Sequence, residues 1–233
     1  MIPLKDDAPR YSTPFINYFL IVMNVLVFLF EHSLNQRADR HFVAQFALIP
    51  GHITSSAQYA HGVVGLLPFL TSMFMHAGWW HLISNMWALW IFGDNIEDQL
   101  GHFRYLIFYL TAGIAAACVH ILFNLGSDIP TVGASGAIAG VMGAYFLLFP
   151  SARVLTLIPA IFFFPIIYLP AWVVLGYWFI VQFLTGAATV MPGTGQAIGI
   201  AVWAHVGGFL AGITLIKIMP HRLQRKERDL SWE

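Results

Sequence analysis

Long runs of apolar residues alternate along this chain with short stretches that hold most of its charged residues. A membrane-crossing helix needs about 20 mainly apolar residues, and fewer when flanking polar side chains reach the interface. Six candidate runs are found, at approximately residues 15–30, 78–92, 103–123, 135–149, 171–184 and 198–218. The pattern predicts an all-α integral membrane protein, a six-transmembrane-helix bundle in which residues 1–233 form a single domain.

Three stretches next to these runs are predicted to be non-helical. The polar run 93–101 is expected to end the second span as a loop. Residues 154–184 are too long for one crossing, because a helix of that length measures about 46 Å against a core of about 30 Å. Prolines at 159, 165 and 170 interrupt it. We therefore predict an irregular approach before residue 171, and a loop at 185–196.

Composition and charge placement favour a membrane location and one orientation. Hydrophobic residues make up 58% of the chain and charged residues 9%, against roughly 25% charged in soluble domains. Acidic and basic residues balance, so no nucleic-acid partner is indicated. Basic residues near span ends mark the cytoplasmic side. Six spans put both termini on one side, with Lys5, Arg10, Arg104, Arg153, Lys217, Arg222, Arg225, Lys226 and Arg228 there and Arg37 and Arg40 opposite. We expect cytoplasmic termini.

A serine and a histidine lie in the fourth and sixth apolar runs. Ser135 starts the fourth run within Gly133-Ala134-Ser135-Gly136, and His205 lies seventy residues later. Hydrocarbon offers such groups no water, so they are usually turned inward and functional. A helix N-terminus supplies free N–H groups and a positive dipole end for a developing oxyanion. A serine nucleophile with a histidine base is the chemistry that this pattern favours.

Small residues follow both of these positions. Gly136 follows the serine, and Gly208 and Gly212 follow the histidine at intervals of three and seven residues. Such small-residue faces let helices approach closely in a membrane. That approach would bring Ser135 within hydrogen-bond reach of His205, although packing alone would also explain the glycines.

The second run and the residues just before it carry further polar residues, His76, His81 and Asn85. His81 and Asn85 are four residues apart, so they share one helix face. Their N–H groups are suitable oxyanion-hole donors. Interhelical hydrogen bonds are the alternative, as is a metal site, but no acidic or thiol ligand lies at comparable depth. We expect no metal and no cofactor.

In chain order the motifs are His76 with His81 and Asn85, Ser135 with its flanking glycines, and His205 with Gly208 and Gly212. Their order and the runs that carry them resemble those of the rhomboid intramembrane serine proteases. The resemblance implies that Ser135 is the nucleophile and His205 its base, and that His81, Asn85 and the Ser135 amide form the oxyanion hole. It implies structural roles for His76, Glu97, Gly133, Gly136, Gly208 and Gly212. Some members carry an aromatic residue four positions after the nucleophile, where this chain has Ala139, so what orients His205 is left open.

The function expected from this resemblance is hydrolysis of peptide bonds in or beside the transmembrane segment of membrane-protein substrates. Asp128 is the only carboxylate near the outer end of the serine helix, so a Ser-His dyad acting through an acyl-enzyme is the simpler interpretation. The expected location is a bacterial cytoplasmic membrane, with the site open to the extracytoplasmic side. The alternatives are an inactive rhomboid-like protein that binds clients and a small transporter, for which no inverted repeat is found.

Overall fold

The computed structural model of this chain describes residues 1–54, 65–159, 164–190 and 201–222. The helices in these ranges are α1 (Phe15–Ser33), α2 (Gln36–Phe46), α3 (Pro50–Thr54), α4 (Pro68–Thr71), α5 (Trp79–Leu100), α6 (His102–Phe123), α7 (Ser135–Leu148), α8 (Ala171–Val190) and α9 (Val202–Ile218). The strands are β1 (Ile2–Asp6), β2 (Arg153–Leu157) and β3 (Ile166–Pro170). The protein is mostly helical.

Among the described residues, three helices are long and apolar enough to cross a membrane. They are α1, α6 and residues 171–189 of α8, whereas α7 and α9 are apolar but shorter. α7 is the central helix, since all residues from Gly136 to Tyr145 are buried. It packs against α5, α6, α8 and α9.

The predicted loop at 93–101 is wrong, because α5 continues as a helix to Leu100. The polar residues of this run are mostly buried inside the bundle, where they bond to other segments. Glu97 accepts hydrogen bonds from the backbone amides of Ile16 (3.0 Å) and Asn17 (2.7 Å), at the start of α1. A buried carboxylate can accept hydrogen bonds from the free amides at the start of another helix. The residues around Glu97 therefore do not have to form a solvated loop.

The bounds of the last two long helices also differ from the prediction. α8 extends through Val190, so residues 185–190 of the predicted 185–196 loop are helical. Residues 191–196 lie outside the described part of the chain. α9 begins at Val202, and the predicted start at residue 198 lies outside the described residues as well.

The all-α prediction is corrected by a three-stranded antiparallel sheet with the order β1-β2-β3. Leu157 pairs with Ile2 on one side and with Ile166 on the other. The segment is not helical, as the prolines predicted, but the residues just before the first of these prolines alternate in burial. Val154 and Thr156 are buried and their neighbours are more exposed, which is the period of a strand. β1 pairs with β2 although the two strands are about 150 residues apart, and no pattern in the neighbouring sequence indicates this pairing.

Candidate active site

Ser135 is the first residue of α7 and follows a sharp turn of the backbone. Gly133 has φ +129°, a conformation that side chains rarely adopt, and its amide donates to the Ser72 carbonyl at 2.9 Å. The first amides of a helix have no acceptor within the helix. The turn therefore presents the Ser135 hydroxyl beside free backbone donors.

The seam between α7 and α9 is a contact of backbone with backbone. A Cβ added at Gly208 would overlap the Gly136 carbonyl, and one added at Gly212 would overlap the Gly140 carbonyl. No larger residue fits at either position without separating the helices. His205 lies one turn before Gly208, so the seam brings its side chain to the N-terminus of α7.

The His205 side chain bridges two helices. Its Nε2 lies 2.8 Å from the Ser135 Oγ, and its Nδ1 lies 2.9 Å from the Oε1 of Gln182 on α8. Trp178, one turn before Gln182, packs against the imidazole with 5.7 Å between ring centroids and an interplanar angle of 38°. Sequence reasoning missed both α8 residues. The signal for Gln182 was present, as a carboxamide within an apolar run.

The residues of the second predicted span lie on the other side of Ser135. A Cβ added at Gly133 would lie 2.7 Å from the His81 Nε2 and 3.6 Å from the Ser135 Oγ, so both atoms approach the same point. Asn85 is buried, and its Nδ2 has no hydrogen-bond partner within the described ranges. A buried donor without an acceptor is unusual in a folded protein.

His76 lies before α5 and contacts His81 edge-on, with 5.1 Å between ring centroids. Its backbone amide donates to the Glu31 carboxylate at 3.2 Å. Burial, and secondarily the neighbouring His81 ring, lowers the pKa of His76 to about 3. His76 is therefore neutral at physiological pH. Its amide and its ring connect this segment with α1 and α5.

A cavity of about 1100 Å³ opens over these residues. His81, Asn85, Ser135, Trp178 and His205 all line it, among mainly apolar side chains. His120 also lines it, and its Nε2 lies 2.9 Å from the Thr131 Oγ1. The arrangement places the Ser135 hydroxyl, the His205 imidazole and the unpartnered donor of Asn85 around one cavity.

The other end of the bundle carries a group of buried or partly buried charged residues. Asp98 accepts hydrogen bonds from the Ser12 hydroxyl (2.6 Å) and the Tyr11 amide (3.2 Å), and it pairs with Arg222 (3.2 Å). Glu97, predicted as structural, bonds the start of α1 and also contacts His102. These carboxylates lie far along α5 from His81 and take no part in the site.

Comparison with known proteins matches residues 64–222 to the model of the Rhomboid domain. The chain is 33% identical over 156 residues to "Rhomboid protein 1, mitochondrial" of Saccharomyces cerevisiae, covering 65% of this chain and 41% of that protein. It is 31% identical over 217 residues to the human "Presenilin-associated rhomboid-like protein, mitochondrial", covering 90% and 49%. It is 28% identical over 142 residues to "Rhomboid protease GluP" of Bacillus subtilis, covering 60% and 26%. The chain thus spans at most about half the length of these relatives.

Proposed function

This chain belongs to the rhomboid family, and we propose that it is an intramembrane serine endopeptidase. Its substrates are membrane proteins, which it hydrolyses in or next to a transmembrane segment. The observation that carries the proposal is the 2.8 Å contact between the Ser135 Oγ and the His205 Nε2 at the N-terminus of α7. A nucleophile within hydrogen-bond reach of its base is the signature of covalent catalysis.

The reaction begins when the Ser135 hydroxyl attacks the scissile carbonyl carbon. Its proton passes to the His205 Nε2, which then gives that proton to the leaving amine. An acyl-enzyme remains on Ser135. Water admitted through the cavity loses a proton to His205 and attacks the ester, and the proton returns to Ser135 as the acid product leaves.

The oxyanion hole in this proposal consists of the Ser135 amide and the side chains of His81 and Asn85. The unpartnered Nδ2 of Asn85 supports this role, because a preorganised donor gains its acceptor when the tetrahedral oxygen forms. The His81 ring, against the same point as the Ser135 Oγ, is placed to add a second side-chain donor.

In the membrane, we propose that α1, α5, α6, α7, α8 and α9 all cross the bilayer, with both termini on the cytoplasmic side. Ser135 then lies toward the opposite face, where the cavity admits water. Similarity does not support the expected bacterial membrane, since the relatives include mitochondrial proteins as well as a Bacillus protein.

The test is to reconstitute the purified protein in liposomes with a single-span substrate, and to label it with a fluorophosphonate. We expect cleavage beside or within the substrate span, and an adduct that mass spectrometry maps to Ser135. Labelling should vanish in His205→Ala. An adduct elsewhere, or substrate binding without cleavage or labelling, would favour the inactive client-binding alternative.

A further inference from the structure

We propose that Gln182 is a positioning residue that holds His205 in the tautomer with its proton on Nδ1. It takes the place that a carboxylate occupies in a Ser-His-Asp triad. The inference rests on the proposed function of Ser135 and His205, and it assigns α8 a part in the reaction that none of the three sequence motifs indicates.

The geometry fixes the direction of the hydrogen bonds. The Gln182 Oε1 lies 2.9 Å from Nδ1, and a carboxamide oxygen can only accept. Nδ1 must therefore carry the proton, which leaves the Nε2 lone pair facing the Ser135 hydroxyl at 2.8 Å. With the opposite tautomer, Nε2 would donate to the serine oxygen, and Ser135 would lose its base.

Trp178 completes the contact from α8. It lies four residues before Gln182, so both side chains project from one face of the helix. Gln182 fixes the rotation of the imidazole through a hydrogen bond, and Trp178 packs against the ring. Position 139 of the serine helix carries alanine, and the aromatic contact comes from α8 instead.

A neutral acceptor suits this depth in a membrane. A carboxylate at this partly buried position of α8 would have to be partly desolvated, which is costly without a paired cation. A carboxamide selects the tautomer without that cost. When Nε2 takes the serine proton, Nδ1 keeps its own proton and continues to donate to Gln182.

The experiment compares three α8 variants of the full chain in liposomes. Gln182→Met keeps the length and volume of the side chain but removes the acceptor, and we expect kcat to fall by about 10² to 10³ with KM within about twofold. The known cost of a wrong tautomer in a triad, about 10⁴, sets the upper bound. Gln182→Glu restores an acceptor oxygen and should recover kcat to within about tenfold of the wild type.

The matched control is Thr185→Val, which removes a polar group from the same helix. The Thr185 hydroxyl bonds within α8, to the Val181 carbonyl, so kcat should not change. If Gln182→Met retains full kcat, or changes only KM, the positioning role is overturned. Equal losses in Gln182→Met and Gln182→Glu would overturn it as well.

A second readout does not depend on activity. In ¹⁵N-histidine spectra, with His205 assigned by comparison with His205→Ala, the wild type should show a protonated Nδ1 and Gln182→Met a mixture of tautomers. This result would support the positioning role even if the wild type failed to cleave or label, an outcome that would refute the proposed function alone. A proton on Nε2 in the wild type would overturn the inference.

Discussion

The buried polar groups at the two ends of the bundle differ in how completely they are hydrogen-bonded. At the charged end, defined by Glu97, Asp98 and Arg222, both carboxylates are fully engaged by backbone amides, hydroxyls and a cation. At the site end, defined by Asn85, Ser135 and His205, a buried donor has no partner among the described residues. The Asn95 side-chain oxygen is an exception near the charged end.

This difference indicates what each end does. A fully bonded buried network adds rigidity and stability, whereas an unpaired polar group costs free energy. A protein keeps such a group where a ligand or a transition state supplies the missing partner. Substitutions at the site end should therefore abolish chemistry with little loss of stability, and substitutions at the charged end should do the reverse.

The largest effect is expected for Ser135→Ala and His205→Ala. Each should lower kcat by a factor on the order of 10⁶, and the double variant should be little worse, because the two residues act as one unit. For Ser135→Ala, the free energy of unfolding should change by about 1 kcal/mol or less, the worth of one hydrogen bond. Cleavage assays and thermal unfolding in detergent measure both. Strong destabilisation by Ser135→Ala would break the contrast between the ends.

Asn85→Ala should lower kcat by about 10² to 10³, the usual cost of one oxyanion-hole donor. KM should change little, and the melting temperature should not fall greatly, because the lost Nδ2 has no partner in the described structure. Steady-state kinetics separates the two parameters. A loss that appears only in KM would place Asn85 in substrate binding instead.

Glu97→Ala should destabilise the protein by about 3 kcal/mol, since the buried amides that start α1 and the His102 side chain lose their acceptor. The folded fraction should retain the kcat of the wild type within about twofold. Chemical denaturation and activity per folded molecule measure these effects. Glu97→Gln, which keeps one acceptor oxygen, serves as the control and should be less damaging.

The smallest effect is expected for Asp7→Asn. Asp7 is bonded by the amide and the guanidinium of Arg153, which hold the pKa of its carboxyl below the ordinary value of 3.8. This bond stabilises the protein above pH 3.8, and the stabilisation is lost as the pH falls through the lowered pKa. The pair is exposed, so less than about 1 kcal/mol is involved. The difference in melting temperature should vanish in acid, and a difference that grew there would contradict the assignment.

Much of the helical pattern could be predicted from the sequence, because apolar runs and glycine spacing are local signals. The starts of α1, α6, α7 and α8 agree with the predicted runs to within one residue. The C-terminal part of α5 was misread because the partners of Glu97 are amides about eighty residues earlier. A buried, bonded carboxylate and a solvated one look the same in a sequence.

The candidate site was also only partly predictable. Ser135, His205, His81 and Asn85 stood out as polar residues in apolar runs, and the structure brings them to one cavity. Gln182 is also a polar residue in an apolar run, but it lies outside the three motifs. Its contact with the Nδ1 of His205 depends on how α8 packs against α9, which the sequence does not show. The sheet could not be predicted either, because β1 pairs with β2, which lies about 150 residues later in the chain.

The seam of Gly136, Gly140, Gly208 and Gly212 has a further consequence, for conformational entropy. Glycine has no side-chain rotamers, so ordering the contacts of these four residues costs no side-chain rotamer entropy. A leucine interface would lose about 0.5 to 1 kcal/mol of rotamer freedom for each residue buried. It could also repack into several alternative arrangements. The main-chain contacts of this seam therefore fix the separation of α7 and α9. That separation in turn sets the distance from the Ser135 Oγ to the His205 Nε2.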